Sequence, residues 1–211
     1  MARGLFLTFE GIDGCGKTTQ LALLSERLRE AGHDVLETVE PGGTDAGRAI
    51  RGILLDPRHH ALSARTELLL YFASRAQNVT EVISPALQRG ATVLCDRFTD
   101  STIVYQGAGR GLDEATILEL HRIACGSIFP DLTILLDVDA ETSLARARSR
   151  NRETGSEETR MDDEDGAFFA RVREGYLRLA AREPKRIRVV DARGPVDVVA
   201  QNVWEEVNAL V

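Results

Sequence analysis

Short apolar, β-branched runs alternate along the chain with longer stretches whose apolar residues recur at helical spacing, as expected of βα units around a parallel sheet. The runs predict strands over residues 5–10, 34–39, 91–95, 132–137 and 187–191. A helix is expected over 17–31, with Leu21, Leu24 and Leu28 on one face and Gly32 as its stop. A second pattern over 64–89 aligns Leu68, Leu69, Phe72, Ala76, Val79 and Ile83, with an interruption near Pro85 and an end at Gly90. The last helix is expected to begin at Pro195 and to bury Val196, Val199, Val203, Val207 and Leu210. Residues 146–165 break the rhythm: they are highly charged, include Asn151, Thr154, Gly155 and Ser156, and read as a surface segment.

The chain has 211 residues, 43% of them hydrophobic and 5% aromatic, which suits one α/β domain spanning 1–211 and leaves little room for a second. With 26 Lys+Arg against 33 Asp+Glu the net charge is −7, so a general footprint for nucleic acid is absent and any anion site must be built locally. Cys15, Cys95 and Cys125 show no C-x-x-C spacing, which argues against a zinc site or a disulfide framework and suits a reducing cytoplasm. The first apolar stretch ends at Glu10, too short for a signal-peptide core, and no segment approaches the roughly 20 apolar residues of a membrane helix. His33, His59, His60 and His121 form no helical i, i+4 pair, so the histidines read as solvated or structural rather than metal ligands.

Gly11-Ile12-Asp13-Gly14-Cys15-Gly16-Lys17-Thr18 matches G-x-x-x-x-G-K-[ST] between an expected strand and an expected helix. Its glycines let successive N–H groups turn inward as an anion cradle, backed by the positive end of the following helix. Lys17 would meet the β- and γ-phosphates, and the Thr18 hydroxyl would ligate Mg²⁺, which prefers oxygen. The expected architecture is therefore a P-loop NTPase fold: a mainly five-stranded parallel sheet flanked by helices. No N-K-x-D guanine-reading element occurs in the chain.

The third strand ends in Asp96-Arg97, at the sheet edge where ligands bind in open parallel sheets. Asp96 could hold a magnesium-bound water, and the Arg97 fork could clamp a second phosphate. Ser101, Thr102, Tyr105 and Gln106 follow as a polar and aromatic run. Together with Glu40-Pro41-Gly42-Gly43-Thr44, Tyr71 four residues before Arg75, and Arg146-Ala147-Arg148-Ser149-Arg150, these blocks resemble the bacterial thymidylate kinase family in order and spacing over nearly the whole chain.

The resemblance implies transfer of the γ-phosphoryl group of ATP to dTMP, with Mg²⁺, in a homodimer. It implies ATP contacts from the whole phosphate loop, Gly11, Ile12, Asp13, Gly14, Cys15, Gly16, Lys17 and Thr18, extended to Thr19 and Arg146. On the acceptor side, Tyr71 falls where a ring stacks on thymine, Arg75 where a guanidinium bonds a base carbonyl, and Thr102 at the base edge. Tyr105 falls against the sugar, disfavouring a 2′-hydroxyl, and Asp13 where a carboxylate accepts from the 3′-hydroxyl. Glu40, Phe72, Arg97, Ser101 and Gln106 complete the implied dTMP set, and Thr18 and Asp96 the magnesium pair.

Arg146, Arg148, Arg150 and Arg152 put four positive charges in seven residues of an acidic chain, as a closing lid would require. With Gly14 in the phosphate loop, the resemblance is to the arrangement in which a basic lid supplies catalytic Arg148 and Arg150 beside Lys17 and Arg97. Three departures from the family pattern stand out. Val39 replaces a common Arg, Phe98 replaces Tyr or His, and the lid is lengthened by residues 153–158 before Arg160. The alternative reading is a P-loop kinase for another nucleoside monophosphate or a deoxynucleoside.

Overall fold

Strand β1 (Phe6–Glu10) is buried at every position, and its two faces meet different helical layers. The computed structural model describes residues 3–154, 158–161 and 164–211, the side chains at 148, 150, 153 and 154 excepted. After β1 come α1 (Lys17–Glu30), β2 (Val35–Val39), α2 (Asp45–Leu55), a tight turn at Pro57–His59, α3 (Ala64–Asn78) and α4 (Ser84–Gln88). The chain continues through β3 (Thr92–Asp96), α5 (Thr99–Thr102), α6 (Glu114–Cys125), β4 (Leu132–Asp137), α7 (Ala140–Thr154), α8 (Gly166–Arg182), β5 (Ile187–Asp191) and α9 (Val196–Val207). Wide π-type turns link α3 to α4 (Val79–Ile83) and extend α5 (Ile103–Gly109).

The five strands pair in parallel in the order β2-β3-β1-β4-β5, each within one residue of its expected range. Interior strands β1, β3 and β4 are buried along nearly their whole length and rich in apolar residues because helices cover both faces, and the buried hydroxyls of Thr8 in β1 and Thr133 in β4 bond each other at 2.8 Å. Leu7 and Phe9 point to α1 and α9, where Leu21, Leu24, Leu28, Val199 and Val203 close one core. Phe6, Val93 and Cys95 point the other way, toward Ile83, Ala86 and Leu87, and that layer continues with α3, α6 and α8. The strand order reverses at β1, so the ligand crevice opens beyond the ends of β1 and β3.

Several expectations need correction. The pattern over 64–89 is interrupted as expected, but at the wide turn Val79–Ile83 rather than at Pro85, which sits just after it in the first turn of α4. Leu69 is 51% exposed, while Ser74, Arg75 and Asn78 are buried, because α3 has a second face turned to the loop after β2. On α9, Val199, Val203 and Val207 are buried, but Val196, in the first turn, and Leu210, past the helix end, are 55% and 50% exposed. The charged stretch from Arg146 is not loop at its start: α7 carries it to Thr154, as its Ala and Arg content favours.

Candidate active site

The phosphate loop turns on glycines with backbone angles other residues avoid. Gly16 (φ 101°) supplies the left-handed position that starts α1, which allows the first N–H groups of the helix to face the loop. Gly14 (φ 85°) lies against α7: a Cβ there would meet the Ser143 carbonyl oxygen at 2.1 Å. Lys17 is buried and donates to the carbonyls of Gly11 and Ile12 at 3.1 and 3.2 Å, with Asp13 at 3.9 Å. Thr18 donates to Asp96 Oδ2 at 3.0 Å, so the two magnesium candidates, one in the first turn of α1 and the other at the end of β3, stand together.

Arg97 is the one non-glycine residue with positive φ (71°) among the described residues. Its Nη2 donates to Asp13 Oδ1 at 2.8 Å and to the Tyr105 hydroxyl at 3.2 Å, while Nη1 donates to Ser101 and Tyr176 at 3.0 and 3.3 Å. The guanidinium also lies 5.0 Å from the centre of the Tyr105 ring. The turn after β3 and the loop after β1 are thus joined by one side chain.

The Glu40-Pro41-Gly42-Gly43-Thr44 element docks on α3. Glu40 accepts from Arg75 Nε and from Asn78 at 3.2 Å, Gly42 N–H donates to Ser74 at 3.1 Å, and a Cβ on Gly43 would meet Asn78 at 2.5 Å. Burial raises the Glu40 carboxyl above its ordinary range, against the pull of Arg75. Arg75 itself is 1% exposed and also donates to the Phe98 carbonyl at 3.2 Å. Burial, reinforced by the charge of Glu67, pushes the Tyr71 phenol up to about 12, so it stays neutral. Glu67 accepts from Gln106 at 2.9 Å, from Arg110 at 3.2 Å and from Arg160 at 2.7 Å. Burial opposes its ionisation, but the bonds from Arg110 and Gln106 outweigh it and lower its pKa.

One cavity of about 1120 Å³ connects these parts. Asp13 to Thr19 line its floor, and Gln20, Ala192, Gly194, Val196 and Arg146 line one end. Arg146 donates to the Ala192 carbonyl at 3.4 Å. Glu40, Tyr71, Arg75, Thr102, Tyr105 and Gln106 line the other end, with Asp96, Arg97 and Ser101 between. Gly11 and Ile12 lie beneath the loop rather than at the surface of the cavity, and Ile12 is part of the core. Phe72 does not line it either: its ring is core and lies 4.9 Å under the Arg75 guanidinium. Arg148 and Arg150 ride on α7, and their side chains lie outside the described residues.

Sequence reasoning gave no role to four residues here, among them Arg160, which it named only as the end of the lengthened lid. Arg51, on α2, lines the cavity, donates to the Pro41 carbonyl at 3.0 Å and pairs with Glu158 at 2.8 Å. Arg160 is buried, bonds the Leu54 carbonyl and holds Glu67. Glu10 and Tyr176 sit behind Arg97, bonded to each other at 2.7 Å. A carboxylate closing a fully buried strand was a legible signal for Glu10. Tyr176 shares the apolar period of Phe168, Phe169, Val172 and Leu179, which hides a hydroxyl with work of its own.

Comparison with known proteins agrees with the geometry. The sequence profile of the family described as thymidylate kinase matches residues 9–203. The chain is 55% identical over 206 residues to a thymidylate kinase of Thermomicrobium roseum, covering 98% of this chain and 95% of that one. It is 55% identical over 202 residues to a thymidylate kinase of Geobacter sulfurreducens, covering 95% and 94%. Among solved structures, a thymidylate kinase from Ehrlichia chaffeensis superposes with a TM-score of 0.78 at 34% identity, over 98% of this chain and 99% of that one. A phosphate loop and an arginine-anchored second pocket in one cleft, matched along nearly the whole length, lead to one assignment: the chain belongs to the thymidylate kinase family.

Proposed function

We infer that the chain transfers the γ-phosphoryl group of ATP to dTMP, giving ADP and dTDP, as a nucleoside monophosphate kinase of nucleotide biosynthesis. The carrying observation is the single cavity in which the phosphate loop faces the Tyr71–Gln106 pocket across Arg97. The acceptor is a phosphate monoester whose second pKa is about 6, already dianionic at neutral pH, so no general base is required. No histidine among the described residues lines the cavity, in keeping with catalysis by positioning and charge neutralisation.

In this reading Lys17 and the loop N–H groups hold the donor phosphates, and Arg97 holds the acceptor phosphate against them. Arg148 and Arg150 add charge from a lid over residues 146–165. Tyr71 stacks on the base, Arg75 and Thr102 meet its edge, and Tyr105 lies against the sugar. The Thr102 hydroxyl has no protein partner, which supports a ligand contact, and the bond from Arg97 fixes Tyr105 in place.

The Thr18–Asp96 pair fits Mg²⁺: a hydroxyl and a carboxylate are hard oxygen donors, and two protein ligands suffice where phosphates and water complete the shell. Among the described residues no cluster of three His, Cys, Asp or Glu competes with it. When bound, the ion would neutralise negative charge on the donor phosphates. A homodimer is supported by apolar side chains exposed on the adjacent helices α2, α3 and α6: Ile53, Leu69, Leu118 and Ile123. Three free, buried cysteines support a cytoplasmic setting, and among the described residues no helix is long and apolar enough to cross a membrane. The reading treats 1–211 as one kinase domain that binds neither nucleic acid nor membrane.

A coupled ADP-release assay with MgATP tests it, comparing no acceptor with dTMP, dUMP, UMP, CMP, GMP and AMP. Turnover that depends on dTMP and is weak with UMP is the expected result. Equal rates without acceptor would mean a hydrolase, and preference for another nucleotide would overturn the base pocket.

A further inference from the structure

Arg97 is held in an unusual backbone conformation, and the group that holds it is a buried carboxylate outside the cavity. Glu10 Oε1 accepts from the backbone N–H of Phe98 at 2.8 Å and of Ser101 at 3.3 Å, the two ends of the turn that follows Arg97. Its Oε2 accepts from the Ser101 hydroxyl at 2.5 Å and from the Tyr176 hydroxyl at 2.7 Å. Each hydroxyl has one proton. With both protons directed to Glu10, the lone pairs of Ser101 and Tyr176 are left for Arg97 Nη1, which reaches them at 3.0 and 3.3 Å. The other terminal nitrogen of the same guanidinium is fixed by Asp13 and Tyr105.

We propose that Glu10 and Tyr176 are positioning residues for Arg97: Glu10 sets the turn and orients two hydroxyls, and the Tyr176 hydroxyl, delivered by α8, fixes the fork. Neither touches the reacting atoms. Tyr176 comes from the helix that follows the lid region, and the residue before it is Gly175, where a Cβ would crowd Ala108 at 3.0 Å and Val104 at 3.1 Å. That close approach is what brings the phenol to Arg97.

The proposal rests on the phosphoryl-transfer reading, and wild-type turnover of dTMP in the same assay separates failure of that reading from failure of this one. Tyr176→Phe keeps the ring and removes one oxygen. The expected result is a loss of roughly tenfold in kcat/KM for dTMP, the scale of one hydrogen bond to a charged group, with KM for ATP unchanged. In an Arg97→Ala background the same substitution should cause no further loss, because the effect passes through Arg97. Equal losses in both backgrounds would make Tyr176 merely structural and overturn the proposal, as would wild-type kinetics for Tyr176→Phe. Glu10→Gln should show the same dependence on Arg97; if it does not fold, Tyr176→Phe carries the test alone.

Discussion

Arg97 donates from Nη2 to Asp13 Oδ1 at 2.8 Å, so the turn after β3 is ion-paired to the phosphate loop after β1. The other end of the fork engages Ser101 and Tyr176, which an ammonium could not do at once. Arg97→Ala and Lys17→Ala should each lower kcat by at least roughly a hundredfold, and Arg97→Lys should recover only a small part. Initial rates with saturating dTMP check this; near-normal turnover in any of the three would remove that side chain from the mechanism.

Gly14 and Gly32 separate backbone strain from close packing. Both have positive φ, 85° and 91°, but a Cβ on Gly14 would strike the α7 backbone and one on Gly32 would meet nothing within 4 Å. Gly32→Ala should therefore lose only the cost of strain, about 1 kcal/mol, and Gly14→Ala clearly more, together with a fall in kcat as α7 is displaced. Thermal unfolding of the two variants side by side decides it. Equal losses would mean that α7 does not pack on the loop.

Glu67 is buried among Arg160, Arg110 and Gln106 and ties the segment after residue 158 to α3. Removing it strands a buried guanidinium, so Glu67→Ala should cost about 3 to 5 kcal/mol in urea unfolding. A loss near zero would place the pair with exposed ion pairs, which contribute little.

His121 is buried, with Nδ1 2.8 Å from the Thr99 hydroxyl and its ring 3.9 Å from that of Phe129. Burial, with Arg75 and Arg186 nearby, lowers the imidazole to about 4. The unfolded chain titrates near about 6.5, so between these values the unfolded state binds the additional proton and stability falls as pH falls. From pH 7 to 5 this residue should cost about 1 to 2 kcal/mol. His121→Gln should flatten that slope in denaturant titrations at pH 5, 6 and 7; parallel slopes would assign the titration elsewhere.

The apolar residues exposed on α3 and α6 include Leu69 and Ile123, which are 51% and 67% exposed. If they meet a second copy, Leu69→Glu with Ile123→Glu should convert a dimer to a monomer at micromolar concentration in sedimentation velocity. A wild-type chain that sediments as a monomer would remove the dimer from the proposal.

The sequence by itself determined the elements whose signal is local. Five apolar runs marked the strands, Gly16 and Lys17 marked the turn into α1, and Asp96-Arg97 marked a strand end that faces the cavity. These are legible because β-branched runs, φ-permissive glycines and strand-end polarity act over a few residues. Only the tertiary structure decided which face of α3 is core, since Arg75 and Asn78 are buried by a loop about 35 positions away in the chain. It also decided that Gly14 must lack a side chain because α7 crosses it, and that Phe72 supports Arg75 from below. Glu10 and Tyr176 stand 166 positions apart and meet behind Arg97 only because β1 and α8 pack there. A periodic pattern records that a side chain is buried, whereas the partner that makes a buried polar group useful is chosen by the packing of distant elements.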